Sequence, residues 1–422
     1  MYRNVLIPLL LAVTLGVSAQ QQTVTLAECL DAAVKNHPLS AQNELYSQTA
    51  NLQQRNIDNG KLPQLNLNAQ GTYQNEVVSL PFSIPGTQAP DIPLAQYKVS
   101  MDVNQLIYGG GSLDAQSVVE DLSRQINQLN NDSELYKMKE RVNQLYFSIL
   151  LADLNADVIS GSINDLKSRL QKVQISVREG VLLASSSDVL QAEILKAGQR
   201  LLEVQTQKQA LLNTLQVLTG LSLGEQVTFA EPSLDVNLSI YNNLRPEYGV
   251  FALMQQKIEA SKKLTSTRDM PKVYGFGIAG YGNPGYNMFK EGSALFYTVG
   301  AKVSWNFWNW NQTSREKQIL DLNSHIVENQ KNAYDMANRA QVQQYLADVV
   351  KAEKLLNSDD EIIKLRSSIT RSAASQLENG SLTTSDYVTE QLAEEQALIT
   401  RNLHKVQLLQ AKALYKAATG TL

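Results

Sequence analysis

The sequence predicts a mixed α and β membrane protein with two structural repeats, each holding two strands and a long helical hairpin. The first observation is a repeat: residues 178–193 resemble residues 378–390, and Gly180 and Gly380 are 200 residues apart. The second is a set of four segments in which apolar and polar residues alternate. The third is a pair of proline-free stretches, each long enough for a helix of about 65 residues.

The first 19 residues are predicted to be a secretory signal peptide. Arg3 precedes an apolar run from Val5 to Val17, and the run ends in the small-residue pattern of a cleavage site at Ala19. A membrane anchor is the alternative, but the apolar run is short for a span. We therefore expect the mature chain to begin after Ala19.

The mature chain is expected to consist of two repeats and a segment that connects them. Residues 20–220 form the first repeat, 221–245 a connecting segment, and 246–422 the second repeat. The net charge of −4 and the absence of a basic block argue against a nucleic-acid partner. Cys29 is the only cysteine, so no internal disulfide is possible, and we expect it to pack as a small apolar residue.

Four strands are predicted, at 64–74, 97–108, 272–282 and 296–308. Each is long enough to cross a bilayer as a tilted strand. Their candidate apolar positions are Leu65, Leu67, Tyr73, Val99, Val103, Tyr274, Phe276, Val299, Val303 and Trp305. Tyr108, Trp308 and Trp310 are candidates for an aromatic belt at the membrane surface. The alternative is a half-buried sheet in a soluble domain, which shows the same alternation.

The number of strands has a consequence for assembly. Four strands cannot close a barrel, because the smallest membrane barrels have about eight. Open strand edges are not tolerated in lipid. If the strands span a membrane, several copies of the chain must share one barrel, although the count alone does not choose between two, three and four.

Long helices are predicted between Ser112 and Glu179 and between Gln312 and Glu378, each about 100 Å long. Return helices follow at 188–219 and 384–419, and shorter helices at 25–62 and 246–270 precede the strands. From the helices alone, a soluble antiparallel bundle or coiled coil remains the alternative. Strands and helices that repeat together favour the membrane protein.

These residues resemble the TolC family of outer-membrane efflux ducts. Leu106–Gly111 is similar to the family's strand-to-helix junction, Glu179–Glu193 and Glu378–Asp386 to its helix-hairpin tips, and Arg245-Pro246-Glu247 to the start of its second half. The resemblance implies a homotrimer with a 12-stranded barrel that continues as an α-helical barrel through the periplasm. It also implies two partners, a periplasmic adaptor (membrane fusion) protein and an inner-membrane transporter.

The resemblance places the periplasmic constriction at the two hairpin tips. The candidate residues are Gly180, Ser187, Asp188, Gly380, Ser385, Asp386 and Glu390. In a trimer each aspartate would form a ring of three that favours cations. Alternatively, Ser187 or Asp188, and Ser385 or Asp386, only cap the return helices. The two glycines are expected to adopt left-handed turn conformations.

No enzymatic site is predicted. His37, His325 and His404 are scattered without metal-ligand spacing, and Gly109-Gly110-Gly111 lacks the Lys-Ser/Thr ending of a phosphate loop. No cofactor is therefore expected. The predicted function is an exit duct for drugs or other small solutes. The alternatives are a duct for type I protein secretion or metal export, and a non-conducting coiled-coil scaffold.

Overall fold

The computed structural model describes residues 23–78, 92–224, 227–236, 244–288 and 290–422. The predicted signal peptide and part of the loop between the first two predicted strands lie outside the described residues. In chain order the elements are β1 (Thr23–Val24), α1 (Leu26–Asn36), α2 (Gln42–Asn59), β2 (Gln64–Tyr73), β3 (Ala95–Tyr108), α3 (Ser112–Arg178), α4 (Ala184–Thr219), β4 (Thr228–Phe229), α5 (Pro246–Ser266), β5 (Lys272–Asn283), β6 (Ala294–Ser304), α6 (Gln312–Glu378) and α7 (Thr384–Thr419).

The helices repeat with a constant offset. The helix α3 begins at Ser112 and ends at Arg178, and α6 has the same bounds 200 residues later. The return helices α4 and α7 show the same offset at both ends. Both long helices have 67 residues and span about 100 Å, as predicted. The return helix α4 begins at Ala184, four residues earlier than expected.

The helix predicted at 25–62 is two helices. A short 3₁₀ segment, Pro38–Ala41, separates α1 from α2. Proline at 38 lacks the amide hydrogen that would continue α1, and it biases His37 towards an extended conformation. The N-terminus of α1 is closed by a capping box between Thr25 and Glu28.

The four predicted strands form one antiparallel sheet in the order β2-β3-β5-β6. One face carries the expected apolar residues of three strands, because Leu65 lies opposite Val103, Ala69 opposite Val99, and residues in register share a face. On β6, Val299 and Val303 lie on this same face, opposite Gly277 and Val273. The face holds no charged residue in any of the four strands.

The strand β5 departs from the expected apolar face. Tyr274 and Phe276 share a face, as the alternation indicated, but the register places Phe276 opposite Asn104 and Tyr274 opposite Lys302. Both aromatic residues therefore lie on the polar face of the sheet. The apolar face of β5 carries Val273, Gly275, Gly277, Ala279 and Tyr281 instead. The pattern of β5 alone could not show this, because only the neighbouring strands define which face is apolar.

The last strand is shorter than predicted. It ends at Ser304, so Trp305 follows the strand and does not belong to it. The Trp305 indole nitrogen donates to the Asp269 carbonyl oxygen at 2.9 Å. Trp308 and Trp310 pack edge to face, with ring centroids 5.7 Å apart, and both are exposed. An exposed aromatic cluster at the strand-to-helix junction is the arrangement that an interfacial belt requires.

A packed core lies where the short strands β1 and β4 pair beside α1, α3 and α4. Tyr146 is fully buried there, with its hydroxyl 3.1 Å from the Val24 carbonyl oxygen and 2.6 Å from that of Ala230. Cys29 is also buried, as expected, and burial raises the pKa of its thiol to about 12. This core joins the start of the chain to the segment after the first repeat.

Within the described part of the chain, no helix combines the length and the apolar character that a membrane crossing requires.

Candidate functional site

The two hairpin tips have the same backbone. Gly180 and Gly380 have φ angles of +77° and +69°, which confirms the expected left-handed conformation. In each tip the residue after the glycine donates its amide hydrogen five residues back: Val181 to the Ser176 carbonyl oxygen and Ser381 to that of Gln376, both at 2.9 Å. These bonds satisfy carbonyl groups at the ends of α3 and α6 and turn the chain sharply.

The caps of the return helices differ from both expected pairs. The N-cap of α7 is Thr383, whose hydroxyl accepts from the Asp386 amide at 3.2 Å and donates to the Asp386 carboxylate at 2.6 Å. At the same place in the first repeat, Leu183 precedes α4 and offers no side-chain cap. The hypothesis that Ser187, Asp188, Ser385 or Asp386 is the N-cap is therefore wrong, because each of them lies inside its helix.

The two aspartates are not equivalent in the folded repeat. With the 200-residue offset of the helices, Asp386 corresponds to Ser186, and Asp188 corresponds to Val388. The two aspartates are 198 residues apart, two residues short of the offset between the helices. Asp188 is exposed on α4, whereas Val388 is buried in the tip.

The second tip places acidic side chains along one groove. Asp386, Leu382 and Glu390 line it together with residues of α6. Glu390 is also an ion-pair partner of Arg366, with 3.3 Å between Oε2 and Nη1. Ser385 is exposed on α7, and the Ser187 hydroxyl on α4 donates to the Ala184 carbonyl oxygen at 3.1 Å.

A set of contacts that the sequence did not reveal joins the second hairpin to α3. Tyr387 on α7 is fully buried and donates its hydroxyl hydrogen to the Asp165 carboxylate at 2.8 Å. The Arg169 guanidinium lies 5.3 Å from the centre of the Tyr387 ring and also pairs with Glu378 at 2.5 Å. Lys172 contacts the same Glu378 oxygen at 2.8 Å. We call Asp165, Arg169, Lys172, Glu378 and Tyr387 the inter-hairpin contact.

Electrostatics shift the pKa values of two groups in the inter-hairpin contact. Hydrogen bonding and the charge of Lys172, followed by the charge of Arg169, lower the pKa of the Glu378 carboxyl below its usual value. Burial, followed by the hydrogen bond to Asp165, raises the pKa of the Tyr387 hydroxyl far above its usual range. Glu378 is therefore charged and Tyr387 neutral at pH 7.

Apolar side chains pack around the inter-hairpin contact. Leu166 and Val173 on α3 and Leu190 on α4 meet Leu377 and Val388 of the second hairpin in one buried cluster. Above it, a cleft of about 460 Å³ opens between α3, α6 and α7, with Asp165 and Arg169 on its wall. One signal could have indicated Tyr387: it is a large aromatic residue where the first repeat has Ser187.

Neither a family model nor a curated protein matches the sequence of this chain. Its fold, however, matches the Campylobacter jejuni outer membrane channel CmeC with a TM-score of 0.68 and 14% identity, over 94% of this chain and 85% of that one. The Vibrio cholerae outer membrane protein VceC gives 0.68 and 12%, over 94% and 96%.

The open state of the Neisseria gonorrhoeae outer membrane channel MtrE also gives a TM-score of 0.68, with 15% identity, over 94% of this chain and 89% of that one. The chain therefore has the fold of an outer-membrane channel. The resemblance of the hairpin and junction residues to the TolC family is therefore confirmed at the level of the fold.

Proposed function

We propose that this chain is the outer-membrane exit channel of a tripartite efflux system, which passes drugs or other small solutes from an inner-membrane pump and a periplasmic adaptor to the exterior. The proposal rests on the four-stranded sheet of β2, β3, β5 and β6. It combines an exposed, uncharged apolar face with two outer strands, β2 and β6, whose outer edges pair with no described strand. Such edges must be paired by other copies before the sheet can enter lipid.

The assembly in this proposal is a homotrimer. Three copies of a four-stranded sheet make a 12-stranded barrel, which lies within the size range of outer-membrane barrels. Apolar side chains such as Leu67 and Val299, which are 74% and 80% exposed in one chain, then contact lipid. The helices α3 and α6 reach about 100 Å into the periplasm, where the hairpin tips meet the adaptor.

The resting state in this proposal is closed at the tips. The inter-hairpin contact holds the second hairpin against α3, and it must release before the hairpins can separate. Asp386 and Glu390 then line the narrow section and favour cations there. Asp188 is exposed on the other tip and contributes a separate acidic position.

The test begins with the purified, detergent-solubilised protein. Its mass is measured, and single channels are recorded in planar bilayers. We expect three copies and discrete conductance steps. The double variant Tyr387→Phe/Glu378→Gln, which weakens the inter-hairpin contact but keeps the ring in the core, should increase the conductance several-fold.

Two controls sharpen the result. Arg178→Gln removes a charge at the position of the first tip that corresponds to Glu378, and it should change the conductance far less. Asp386→Asn should lower the preference for cations without changing the oligomer. A monomer, or a trimer that never conducts even in the double variant, would favour the non-conducting scaffold.

A further inference from the structure

All charged residues of the sheet lie on one face. The four strands contain three lysines and one aspartate: Lys98, Asp102, Lys272 and Lys302. In register, Asp102 lies opposite Ile278, and Lys302 lies opposite Tyr274. Since alternate residues of a strand share a face, all four charges lie on the face that carries Tyr274, Phe276 and Ile278. The opposite face is uncharged.

Near the hairpin end of the sheet, the charged face is the more sheltered one. On β6, Phe296 is 8% exposed, whereas its neighbours Leu295 and Tyr297 on the other face are 84% and 79% exposed. On β3, Ser100 is buried between the exposed Val99 and Met101. In a closed membrane barrel the apolar face contacts lipid, so the charged face is the inner one.

Lys98 is held by aromatic rings and not by a carboxylate. Its ammonium nitrogen lies 4.9 Å from the centre of the Phe296 ring and 5.5 Å from that of Tyr286, and the two rings are 4.5 Å apart. The Phe296 ring packs over Gly280, where an added Cβ would be 2.4 Å from it. Cation–π contacts orient the ammonium group but leave its positive charge uncompensated.

The aspartate of this face accepts a hydrogen bond from an amide side chain. One Asp102 carboxylate oxygen accepts from the Asn68 side-chain amide at 2.6 Å. Among the described residues, none of the three lysines has a carboxylate within ion-pairing distance. Three lysines less one aspartate leave a charge of +2 per chain on this face.

We propose that the sheet forms an anion-favouring section of the duct, with Lys98, Lys272 and Lys302 as its selectivity residues, and that its cargo includes anionic organic solutes such as carboxylates and sulfates. The proposal rests on the channel function proposed above. Lys272 and Lys302 lie at the helix end of the sheet and Lys98 near the hairpin end, with Asp102 between them. A low-dielectric wall around like charges focuses their potential into the lumen.

The sheet section carries a positive net charge, whereas the second tip is acidic. A solute leaving through the duct would pass the tip first and the lysines second. The selectivity of the sheet is therefore best measured where the tip is loosened, so that the tip no longer limits the current. The double variant Tyr387→Phe/Glu378→Gln provides that background.

The experiment measures the reversal potential in planar bilayers across a KCl gradient. In the loosened background, Lys98→Gln/Lys272→Gln/Lys302→Gln should lower the ratio of chloride to potassium permeability about threefold or more. The matched control, with arginine at the same three positions, keeps the charge and should keep the ratio. The difference should shrink at high salt, because the Debye length falls from about 10 Å at 0.1 M to about 3 Å at 1 M.

Each outcome decides between the two proposals. A conducting glutamine variant whose permeability ratio equals that of the arginine variant overturns the anion-selective section and leaves the channel intact. A loosened protein that forms no channel overturns the channel function, and the anion-selective section with it. If the triple variant does not assemble, Lys98→Gln alone is measured against Lys98→Arg, because this position is only partly buried and lies near the end of its strand.

Discussion

The two helical hairpins share a backbone but not their chemistry. Their helices have the same lengths and the same tip turns, with Gly180 and Gly380 in the left-handed conformation. The first tip has an exposed leucine, Leu183, before its return helix. The second has the Thr383 cap, and its Tyr387 and Glu378 join α3.

The repeat therefore preserves the backbone geometry of the hairpins, whereas the side chains of the two tips make different contacts. A left-handed glycine and a proline-free helix suffice for the turn, so each hairpin can tolerate different tip residues. The inter-hairpin contact is asymmetric, because its acceptor Asp165 belongs to the first hairpin and its donor Tyr387 to the second. We therefore expect the second hairpin to be the one whose release opens the tip.

The largest effect is expected at Tyr387. Tyr387→Ala should lower the free energy needed to open the tip locally by about 3–5 kcal/mol, because it leaves a cavity in the buried cluster and an unpaired Asp165. Hydrogen exchange of the first amides of α7 measures this opening. Ser187→Ala at the corresponding place in the first repeat should change exchange by no more than about 0.5 kcal/mol. Equal effects at both positions would contradict the asymmetry of the hairpins.

The cap of the second tip should have a smaller effect. Thr383→Ala removes the hydroxyl that accepts from the Asp386 amide, and it should destabilise the start of α7 by about 1 kcal/mol. The measurement is again hydrogen exchange, now compared between the starts of α7 and α4. An unchanged α7 would mean that the capping bond does not contribute.

The converse substitution adds a cap to the first tip. Leu183 is 77% exposed, so little buried surface is lost when it is replaced. Leu183→Thr should stabilise the start of α4 by about 0.5–1 kcal/mol and make the two tips more alike. Leu183→Ala, which adds no acceptor, is the control. A gain of the same size in both variants would exclude capping as its cause.

The smallest effect is expected from acidification. The pKa of Glu378 is lowered in the folded tip, so its stabilising contribution is present above the unfolded value of 4.5 and is lost as pH falls below it. Proteolysis at residues 379–383 should therefore accelerate at acidic pH more than proteolysis at 179–183. Glu378→Gln should remove this difference. If the variant retains the same acid response, another group is responsible.

The sheet shows which structural features the alternation of residues along a strand can predict. The alternation in β2, β3 and β6 predicted which residues share a face, and the cross-strand register agrees. For β5 the pattern could not choose a face, because both sets of residues contain apolar or small side chains. Pairing with Asn104 and Lys302 placed Phe276 and Tyr274 on the polar face. A bulge between Leu106 and Tyr108 also shifts the register beside the helix junction.

The repeat, the long helices, the strand positions and the left-handed tip glycines could all be predicted from the sequence. These follow from local rules: proline and glycine restrict the backbone, and the spacing of apolar residues sets helix or strand. The orientation of β5, the correspondence of the tip residues and the hydrogen bond from Tyr387 to Asp165, 222 residues apart, became evident only in the folded chain. Such contacts depend on how elements pack, and no local pattern encodes the register of two elements that meet only after folding.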